Sequence, residues 1–510
     1  MMIALFFSAL SFGQNHTLED VGRNALMSSG TIVEHNVIKG YFYFYFSEKI
    51  SRKMNNYQIV LLDDNLKEIA SETIEESKHT NLIESSYNGT SVLFKFYNTK
   101  ERTIFYRVMD QSGEISDREF RESNKVEGTT YLASITGSIR NINVSAVSEN
   151  RFVDVYPYKG KKYAYMATCL DNNGKEIWTY VAPEEKGINQ ASYLTGDENQ
   201  IILLNSFVKN AMSRDYHFSL VSLDPDGDLN YKMPLEDSKY TLLPHNAFIN
   251  SNTGEVTVLG EYFDADDKAA KAESKGIFVQ IVDEEGEVIS DKFFSWSRDI
   301  AAKLNAEDKK MAKRFSVYFH DVQMLASGKI VIVGEQYRKQ VSAGGVALKM
   351  LAASAGGSSD VSTLEMRIGN MFVLTLDKDH ELDNVDILYK KPRRILLDDN
   401  YSLVSRHLLA KMMDAAGMFD YSFTQASEDR KLISIGYTDS EKEKGKLFRQ
   451  AKFHLVNFSD GEEEPVKDKI DMETESTAMR IRPAKSGHIL ISEYFKKQKT
   501  IELRLEPINF

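Results

Sequence analysis

The strongest constraint on the fold of this chain is a short acidic turn that recurs along its whole length. In each copy an apolar, strand-like segment ends in an acidic residue, a turn follows, and a second extended segment begins. The strong copies place that residue at Asp63, Asp110, Asp171, Asp224, Asp283 and Asp377, and weaker copies place it at Asn457 and Glu506. Several copies have Gly three positions after the Asp, a pair that favours an Asx-type turn with a positive φ. Each copy is therefore predicted to be a β-hairpin, except the last one at Glu506, which no strand follows.

Four strands recur around each turn in a constant order. In the fifth copy they begin near His245, Glu255, Gly276 and Glu287, and the sixth copy repeats the order. Most neighbouring turns are separated by about forty to fifty residues plus loops, the size of a propeller blade. The chain is therefore predicted to be all-β, a β-propeller of seven to eight four-stranded antiparallel blades with small helical insertions. An array of two-sheet sandwiches is the alternative.

The last copy contains only three strand-like segments, so another part of the chain is expected to supply its fourth strand. The segment from Gly22 to Val37 is the predicted donor, which would close the ring of blades. The domain prediction treats residues 15–29 as a leader that could include this strand. Residues 30–510 are then one propeller domain.

The N-terminus resembles an export signal. Ile3 to Phe12 form an apolar run of signal-peptide length, and Ser11-Phe12-Gly13 supplies a small-x-small cleavage pattern, although no Lys or Arg precedes the run. Residues 1–14 are predicted to be a signal peptide, which would take the protein to the periplasm, the outer surface or the medium. No later apolar run approaches about eighteen residues, so no membrane span is predicted.

Composition narrows the classes of partner. The chain of 510 residues has a net charge of −12, which argues against nucleic acid and against a polybasic membrane-surface role. Its single cysteine, Cys169, lies in an apolar run and is predicted to be a buried, unpaired thiol. Aromatic residues make up 11% of the chain, and we interpret them first as packing between blades. The protein is predicted to be a monomer.

Three insertions interrupt the regular spacing, at about residues 297–315, 340–362 and 393–420. The first is charged and helix-like, and the second is rich in Ala, Gly and Ser. The third has Leu403, Leu408, Leu409 and Met412 at near-helical spacing. Long loops on a rigid scaffold often carry function. The alternative is that they only pack against the propeller or form a flexible hairpin tip.

No cofactor or metal is predicted. Gly344-Gly345 and Gly356-Gly357 lack the Lys-Ser/Thr residues of a phosphate-binding loop. His320-Asp321 and Asp377 with His380 are the densest ligand-like clusters, but the second occupies the recurring turn. The acidic run from Asp224 to Asp228 occupies the same turn position and is interpreted as a turn rather than a calcium loop.

Four carboxylates are the candidate site residues. Asp154, Glu261, Glu335 and Glu493 lie at comparable positions in the second strand of four units, often followed by Tyr. They are predicted, as a hypothesis, to surround a ligand site near the axis of the propeller. The alternative is that related blades simply repeat a polar and aromatic strand end. No catalytic residue is assigned.

One hairpin carries a family resemblance. The sequence CLDNNGKEIWTY around Asp171 resembles the hairpin repeated in quinoprotein-type and outer-membrane-assembly propellers. The other units keep the Asp and sometimes the Gly, but replace Trp178. The resemblance implies a propeller with quinoprotein-like or WD40-like repeats and does not extend to cofactor or docking residues. Taken whole, the chain resembles uncharacterised secreted bacterial propeller-like proteins.

These observations favour a non-catalytic, exported scaffold that binds a protein, a peptide or a glycan on the face carrying the insertions. The alternative is a hydrolase or lyase that acts on polysaccharide through channel carboxylates. A third possibility is a structural subunit of an envelope assembly.

Overall fold

A computed structural model describes residues 14–22, 26–34, 37–116, 120–135, 144–210, 215–236, 238–250, 252–267, 272–312, 316–341, 363–398, 401, 406–441, 450–459, 465–472 and 474–508. Nearly all of the predicted signal peptide, most of the second predicted insertion and Leu403 lie outside these ranges. The chain divides into two compact units. One comprises residues 1–78, 111–113 and 472–510, and the other residues 79–110 and 114–471.

The first unit contains two four-stranded antiparallel sheets. The first sheet has the order β2 (Leu26–Glu34), β3 (Val37–Lys49), β4 (Met54–Asp63), β5 (Glu68–Ser77). The eighth sheet has the order β32 (Ala478–Pro483), β33 (His488–Phe495), β34 (Thr500–Pro507), β1 (Asn15–Leu18).

The fourth strand of the eighth sheet therefore comes from the N-terminal part of the chain. Asn15 lies opposite Arg504, and Leu18 lies opposite Ile501. The donor is not the predicted segment from Gly22 to Val37, because most of that segment forms β2 and pairs with β3.

The second unit contains six sheets in chain order. The second sheet contains β6 (Thr80–Tyr87), β7 (Ser91–Asn98) and β8 (Thr103–Asp110) with the short β9 (Ile115–Ser116) and β10 (Arg121–Glu122). The third contains β11 (Val144–Ser148), β12 (Arg151–Lys159), β13 (Tyr163–Asp171) and β14 (Glu176–Val181). The fourth contains β15 (Ile188–Gly196), β16 (Ile201–Val208), β17 (Tyr216–Leu223) and β18 (Leu229–Pro234). The fifth sheet contains β19 (Tyr240–Ile249), β20 (Val256–Asp264), β21 (Gly276–Val282) and β22 (Val288–Ser295). The sixth contains β23 (Ser316–Met324), β24 (Ile330–Val341), β25 (Leu364–Leu376) and β26 (Leu382–Leu388), with β27 (Arg393–Leu397) paired to β25. The seventh contains β28 (Tyr421–Ala426), β29 (Leu432–Glu441), β30 (Gln450–Ser459) and β31 (Val466–Asp471).

Helices occupy connections between sheets. The described ones are α1 (Lys125–Ile135), a π-helical turn (Trp296–Ile300) that runs into α2 (Ala301–Lys303), α3 (Ala306–Ala312) and α4 (Arg406–Ala415). The first predicted insertion is thus helical where it is described. The third contains the predicted helix but also the unpredicted strand β27, and α1 was not predicted at all. No helix in the described ranges is long and apolar enough to cross a membrane.

The eight sheets make an eight-bladed β-propeller, which confirms the predicted fold class. The seven-blade count and the sandwich array are wrong. The Asp turns form as predicted: Asp283 Oδ1 accepts hydrogen bonds from the backbone N–H groups of Glu285 and Glu287, and Gly286 has φ 87°. In the two weak copies, Asn457 lies near the end of β30, which forms a hairpin with β31, and Glu506 lies near the end of β34, which no further strand follows in the described residues.

Hydrophobic layers lie between successive sheets within each unit. Aromatic side chains fill much of them, as the composition indicated. Tyr41, Tyr43 and Tyr45 of β3 pack with Leu490 of β33 and Leu505 of β34 in the first unit. Cys169 is fully buried in β13, and burial raises the pKa of its thiol to about 11.

The three insertions leave the sixth sheet at the same end. Successive strands of a sheet run antiparallel, so the connection from the second to the third strand lies opposite the Asp turn, as do the connections between sheets. The first insertion enters β23, the second joins β24 to β25, and the third follows β26. This end of the sixth sheet is called the insertion end below.

Candidate functional site

All four candidate carboxylates lie in second strands, and all four are buried. Asp154 is in β12, Glu261 in β20, Glu335 in β24 and Glu493 in β33. Each is bonded to side chains or backbone of its own sheet or of a neighbouring one.

Only some of these carboxylates share a position in their blades. Val256 faces Val282, the residue before the Asp283 turn, and Glu261 lies five residues further along β20. Glu335 has the same relation to the Asp377 turn, because Ile330 faces Leu376. Asp154 differs, since Phe152, two residues before it, faces the residue that precedes the Asp171 turn. The offset of Asp154 is thus three residues shorter than that of Glu261 and Glu335, and this odd difference turns its side chain to the other face of the sheet. Glu493 has no equivalent turn for comparison.

Asp154 belongs to a buried cluster of charges between the second and third sheets. Its Oδ1 lies 2.7 Å from Lys95 Nζ, and both side chains are fully buried. The Tyr106 hydroxyl donates to Oδ2 at 2.5 Å. Burial and the charge of Asp154 raise the pKa of Tyr106 well above its usual value, so this phenol stays protonated as the donor.

Helix α1 completes this cluster through Glu127. Asn124 caps the helix, accepting hydrogen bonds from the N–H groups of Val126 and Glu127, and Glu127 pairs with Arg121 at 2.7 Å. The Arg121 guanidinium lies 4.4 Å from the centroid of the Tyr156 ring and 3.9 Å from Asp154. Two cations and two carboxylates therefore balance. A neutral cluster enclosed by rings is typical of a structural ion pair rather than of an open ligand site.

Glu335 belongs to a second buried cluster, between the sixth and seventh sheets. Lys390 Nζ lies 2.9 Å from Glu335 Oε1 and 2.5 Å from Asp420 Oδ2. The backbone N–H groups of Asp420 and Tyr421 both donate to Glu335 Oε2 at 3.1 Å. Burial acts to raise the pKa of Glu335, but His320 and Lys390 outweigh it and hold that pKa below its usual value. Glu335 is therefore an ionised acceptor.

His320 lies between Glu335 and Asp414. Its Nε2 is 3.3 Å from Glu335 Oε2, and its Nδ1 is 3.5 Å from Asp414 Oδ1. The imidazole stacks on Tyr421, with ring centroids 4.4 Å apart. Burial acts to lower the pKa of His320, but the two carboxylates outweigh it and raise that pKa above the usual value.

The remaining two carboxylates have simpler surroundings. Glu261 lies 3.2 Å from His245 Nε2 of the neighbouring strand. Glu493, in the other unit, contacts Arg504 and the Thr474 hydroxyl. The structure thus brings the four candidates to separate local partners in their own blades and neighbours.

The predicted ligand-like clusters are occupied by structural contacts. Asp377 Oδ1 accepts hydrogen bonds from the N–H groups of Asp379 and Glu381, and His380 takes a positive φ in the same turn. Asp224 makes the same turn with Asp226 and Asp228. Asp321 Oδ2 accepts from the side-chain amide of Gln323, while its neighbour His320 lies between the carboxylates described above.

One group in the described ranges has metal-ligand spacing that sequence reasoning missed. Ligand atoms of Asp439, Glu441 and His454 lie within 4.8 Å of one another on β29 and β30. Asp439 and Glu441 lie two positions apart on β29 and therefore on the same face, but no spacing in the sequence relates them to His454 on β30. Lys469 already contacts Glu441, and the N–H group of Lys391 donates to Asp439. Cross-strand ion pairing accounts for this group.

Comparison with solved structures finds distant similarities. The WD40 domain of SCAP from fission yeast is 9% identical, with 96% of this chain and 98% of that chain covered and a TM-score of 0.40. The β-propeller domain of the Trilobed protease from Pyrococcus furiosus is 9% identical, with 86% and 96% covered and a TM-score of 0.38. The Pseudomonas aeruginosa periplasmic gluconolactonase PpgL is 7% identical, with 84% and 96% covered and a TM-score of 0.37.

A family model described as a family of unknown function (DUF6770) matches residues 1–509. No curated protein matches the sequence.

Proposed function

The chain belongs to the family of unknown function DUF6770, and we propose that it is a non-catalytic β-propeller scaffold that binds a protein, a peptide or a glycan. The bound partner is proposed to contact the insertion end of the sixth sheet. Loops there depart from the regular blade, and binding residues are often placed on loops held by a rigid scaffold.

The burial and the ion pairing of the candidate carboxylates support this proposal. Asp154 and Glu335 are fully buried, and each is paired with a buried lysine at 2.7 Å and 2.9 Å. Glycoside hydrolysis needs a carboxylic acid of raised pKa and a second carboxylate that reaches the substrate. Glu335 has the opposite shift, with a pKa held low by His320 and Lys390. The contacts therefore favour a structural role for these acids over the hydrolase or lyase alternative.

The test is a parallel screen of the full-length chain for binding and for turnover. Glycan arrays and pull-down from envelope extracts would measure binding, and a panel of polysaccharides would measure depolymerisation. We expect binding without turnover. Turnover that is lost in Glu335→Gln, in a variant that still folds, would overturn the proposal in favour of the hydrolase or lyase.

We also propose that the protein acts after export, on the basis of the apolar run from Ile3 to Phe12. Expression of the full chain in a bacterial host should yield a mature protein that begins near residue 15, in the periplasm or the medium. N-terminal sequencing of the fractionated protein measures this. A cytoplasmic protein that retains its first fourteen residues would contradict export. The binding proposal would be unaffected, because it is tested separately by the screen above.

A further inference from the structure

Two neighbouring blades place the same pair of side chains at the same position. His245 and His320 lie at β-bulges in the first strands of the fifth and sixth sheets. Each histidine comes two positions after the residue that faces a glutamate of the second strand, Glu261 or Glu335. The imidazole Nε2 lies 3.2 Å from Glu261 in the fifth sheet and 3.3 Å from Glu335 in the sixth. These equivalents are called the fifth-sheet pair and the sixth-sheet pair below.

The sixth-sheet pair is enclosed by protein. The His320 side chain is 1% exposed and the Glu335 side chain is 0% exposed. Lys390 Nζ lies 2.9 Å from Glu335, and Asp414 of α4 lies 3.5 Å from His320 Nδ1. A ligand therefore has no access to this pair.

The fifth-sheet pair differs because solvent reaches it and a lysine of α4 lies close by. The His245 side chain is 16% exposed. Lys411 and Asp414 are three positions apart and share one side of α4, so the helix directs one side chain toward each pair. Burial lowers the pKa of Lys411, and the charge of Glu261 acts in the opposite direction.

Lys411 lies in a recess rather than on a convex surface. Its side chain is exposed to water, yet the surrounding protein lowers its pKa, a combination that a convex surface does not produce. Lys411 makes no hydrogen bond or ion pair to the part of the chain that the structure describes. Its donors are therefore available to a ligand.

A buried hydroxyl also lies near Glu261. Tyr337 is 0% exposed, and its hydroxyl makes no hydrogen bond of normal geometry, although Ser316 lies nearby. Burial and the charge of Glu261 raise the pKa of Tyr337, so the phenol stays protonated. Its ring packs against Leu409 and Met413 of α4. Because buried hydroxyls normally have a partner, this one indicates a place for a polar group that comes from outside the fold.

We propose that the fifth-sheet pair, Tyr337 and Lys411 bind one uncharged sugar ring at the end of a glycan. This inference rests on the proposed binding function and gives its ligand a chemical class and a position, since α4 belongs to the third insertion. Glu261 accepts hydrogen bonds, Lys411 donates them, and the Tyr337 hydroxyl does either. A sugar hydroxyl donates and accepts through one oxygen, so neighbouring hydroxyls of a ring match this mixture.

The described charges near Tyr337 favour a ligand without net charge. The Lys411 ammonium lies near the Glu261 carboxylate, and the Arg406 guanidinium pairs with Glu273 at 2.8 Å. A ligand of either sign would be attracted by one member of the first pair and repelled by the other.

Enclosure favours a sugar over a peptide. The N–H and C=O groups of an extended peptide point to both sides of the chain, as in a sheet, and need partners on both sides. The Tyr337 hydroxyl is reached only by the end of a ligand, because the residue is fully buried. A peptide end carries a charge, whereas the end of a neutral glycan presents several hydroxyls.

The test measures binding of the full-length chain to glucose, galactose, mannose, xylose and N-acetylglucosamine by saturation-transfer difference NMR. Galacturonate and tetra-alanine are the comparison ligands. We expect saturable binding of at least one neutral sugar and weaker binding of both comparison ligands. Lys411→Met should weaken the binding of that sugar at least tenfold, because it removes the donor and keeps an apolar chain of similar length.

Tyr337→Phe separates a binding role from a structural one. It removes a hydroxyl without a protein partner, so the melting temperature should stay the same or rise while sugar binding weakens at least fivefold. A lower melting temperature with unchanged sugar binding would show that the hydroxyl holds a structural water, and would overturn the proposal.

Lys303→Met is the matched control, because Lys303 is an exposed lysine of α2 in the first insertion. It should bind the sugar like the unmodified protein. Unchanged binding by Lys411→Met, or tighter binding of galacturonate or tetra-alanine, would also overturn the proposal. If no neutral sugar binds while the array or pull-down finds another partner, this inference fails and the proposed function stands. If nothing binds in any format, both fail.

Discussion

Gly286 shows how one residue links a turn to the neighbouring blade. It takes φ 87° in the turn between β21 and β22. A Cβ at this position would lie 2.6 Å from Tyr231 Cγ of the preceding sheet. Gly227 has the same relation to Trp178, whose indole N–H donates to the Pro225 carbonyl at 2.8 Å. The tryptophan of the recognisable hairpin is thus a packing residue, which is why other units replace it without losing the turn.

We expect Gly286→Ala to destabilise the protein more than Gly417→Ala does. Both positions have positive φ, so both substitutions strain the backbone by about 1 kcal/mol. Only Gly286 adds a clash, since a Cβ at Gly417 would have nothing within 4 Å. Overpacking adds about 1–3 kcal/mol. Denaturant titration of the two variants measures the difference, and equal losses would show that Tyr231 moves aside freely.

The raised pKa of His320 predicts a pH dependence of stability. A histidine whose folded pKa lies above its unfolded value stabilises the protein at pH below that unfolded value, and this contribution is lost as pH rises through the folded pKa. Glu335 and Asp414 face the imidazole, with the rings of Tyr318, Phe419 and Tyr421 around it.

The comparison is with His320→Gln, which cannot titrate. The difference in unfolding free energy between the two proteins should shrink as pH rises from about 6, by at most about 1.4 kcal/mol per pH unit. Unfolding curves between pH 6 and 9 measure it. A difference that does not change with pH would mean that His320 keeps one charge state throughout this range.

At the scale of elements, the cluster around Lys95 and Asp154 joins a strand of one sheet to a strand of the next. Lys95 lies in β7 and Asp154 in β12, and helix α1 adds Glu127, which binds Arg121. Lys95 Nζ also lies 4.6 Å from the centroid of the Tyr131 ring on α1. The helix that sequence reasoning missed therefore encloses the charges that sequence reasoning assigned to a ligand site.

Lys95→Met should cost about 3–5 kcal/mol of folding stability, because it leaves a buried carboxylate without its closest cation. The double variant Lys95→Met/Asp154→Leu should recover much of that loss, since it removes both charges. A double-variant cycle by chemical denaturation measures the coupling. Additive losses would show that Tyr106 and Arg121 satisfy Asp154 without Lys95.

At the scale of the whole chain, the eighth sheet depends on a strand that is remote in sequence. Leu18 of β1 is 2% exposed and packs in the hydrophobic layer shared by the first and eighth sheets. The Lys485 ammonium lies 2.5 Å from Asn65 Oδ1, a second link between the two sheets. Both contacts join residues from the two ends of the chain.

Leu18→Ala should lower stability by about 2–5 kcal/mol, the usual cost of truncating a buried leucine. Thr17→Ala is the matched control, because Thr17 is the exposed neighbour on the same strand. It should change stability by less than about 0.5 kcal/mol. Thermal or chemical unfolding measures both. A Leu18→Ala protein as stable as the control would mean that β1 contributes little to the eighth sheet.

The sequence alone determined the all-β class, the strand order within a blade and the six Asp turns. An Asp turn needs only a carboxylate, two nearby N–H groups and one residue with positive φ, all within five positions. The same hydrogen bonds form wherever these residues recur, so the turns can be predicted without knowledge of the rest of the chain. The weak copies at Asn457 and Glu506 lie near the ends of the third strands of their blades, as the spacing predicted.

The tertiary structure decided which strand completes the last blade, which face each carboxylate occupies and which charges meet. The sequence pattern predicted comparable positions for Asp154 and Glu335, yet the two lie at different positions in their blades and their partners come from other strands and connections, Lys95 for one and Lys390 for the other. The sixth sheet likewise brings together Arg338, Arg367 and Arg394 from three strands. Electrostatic energy depends on the distance between charges in space. A sequence in which only the turns repeat does not determine those distances.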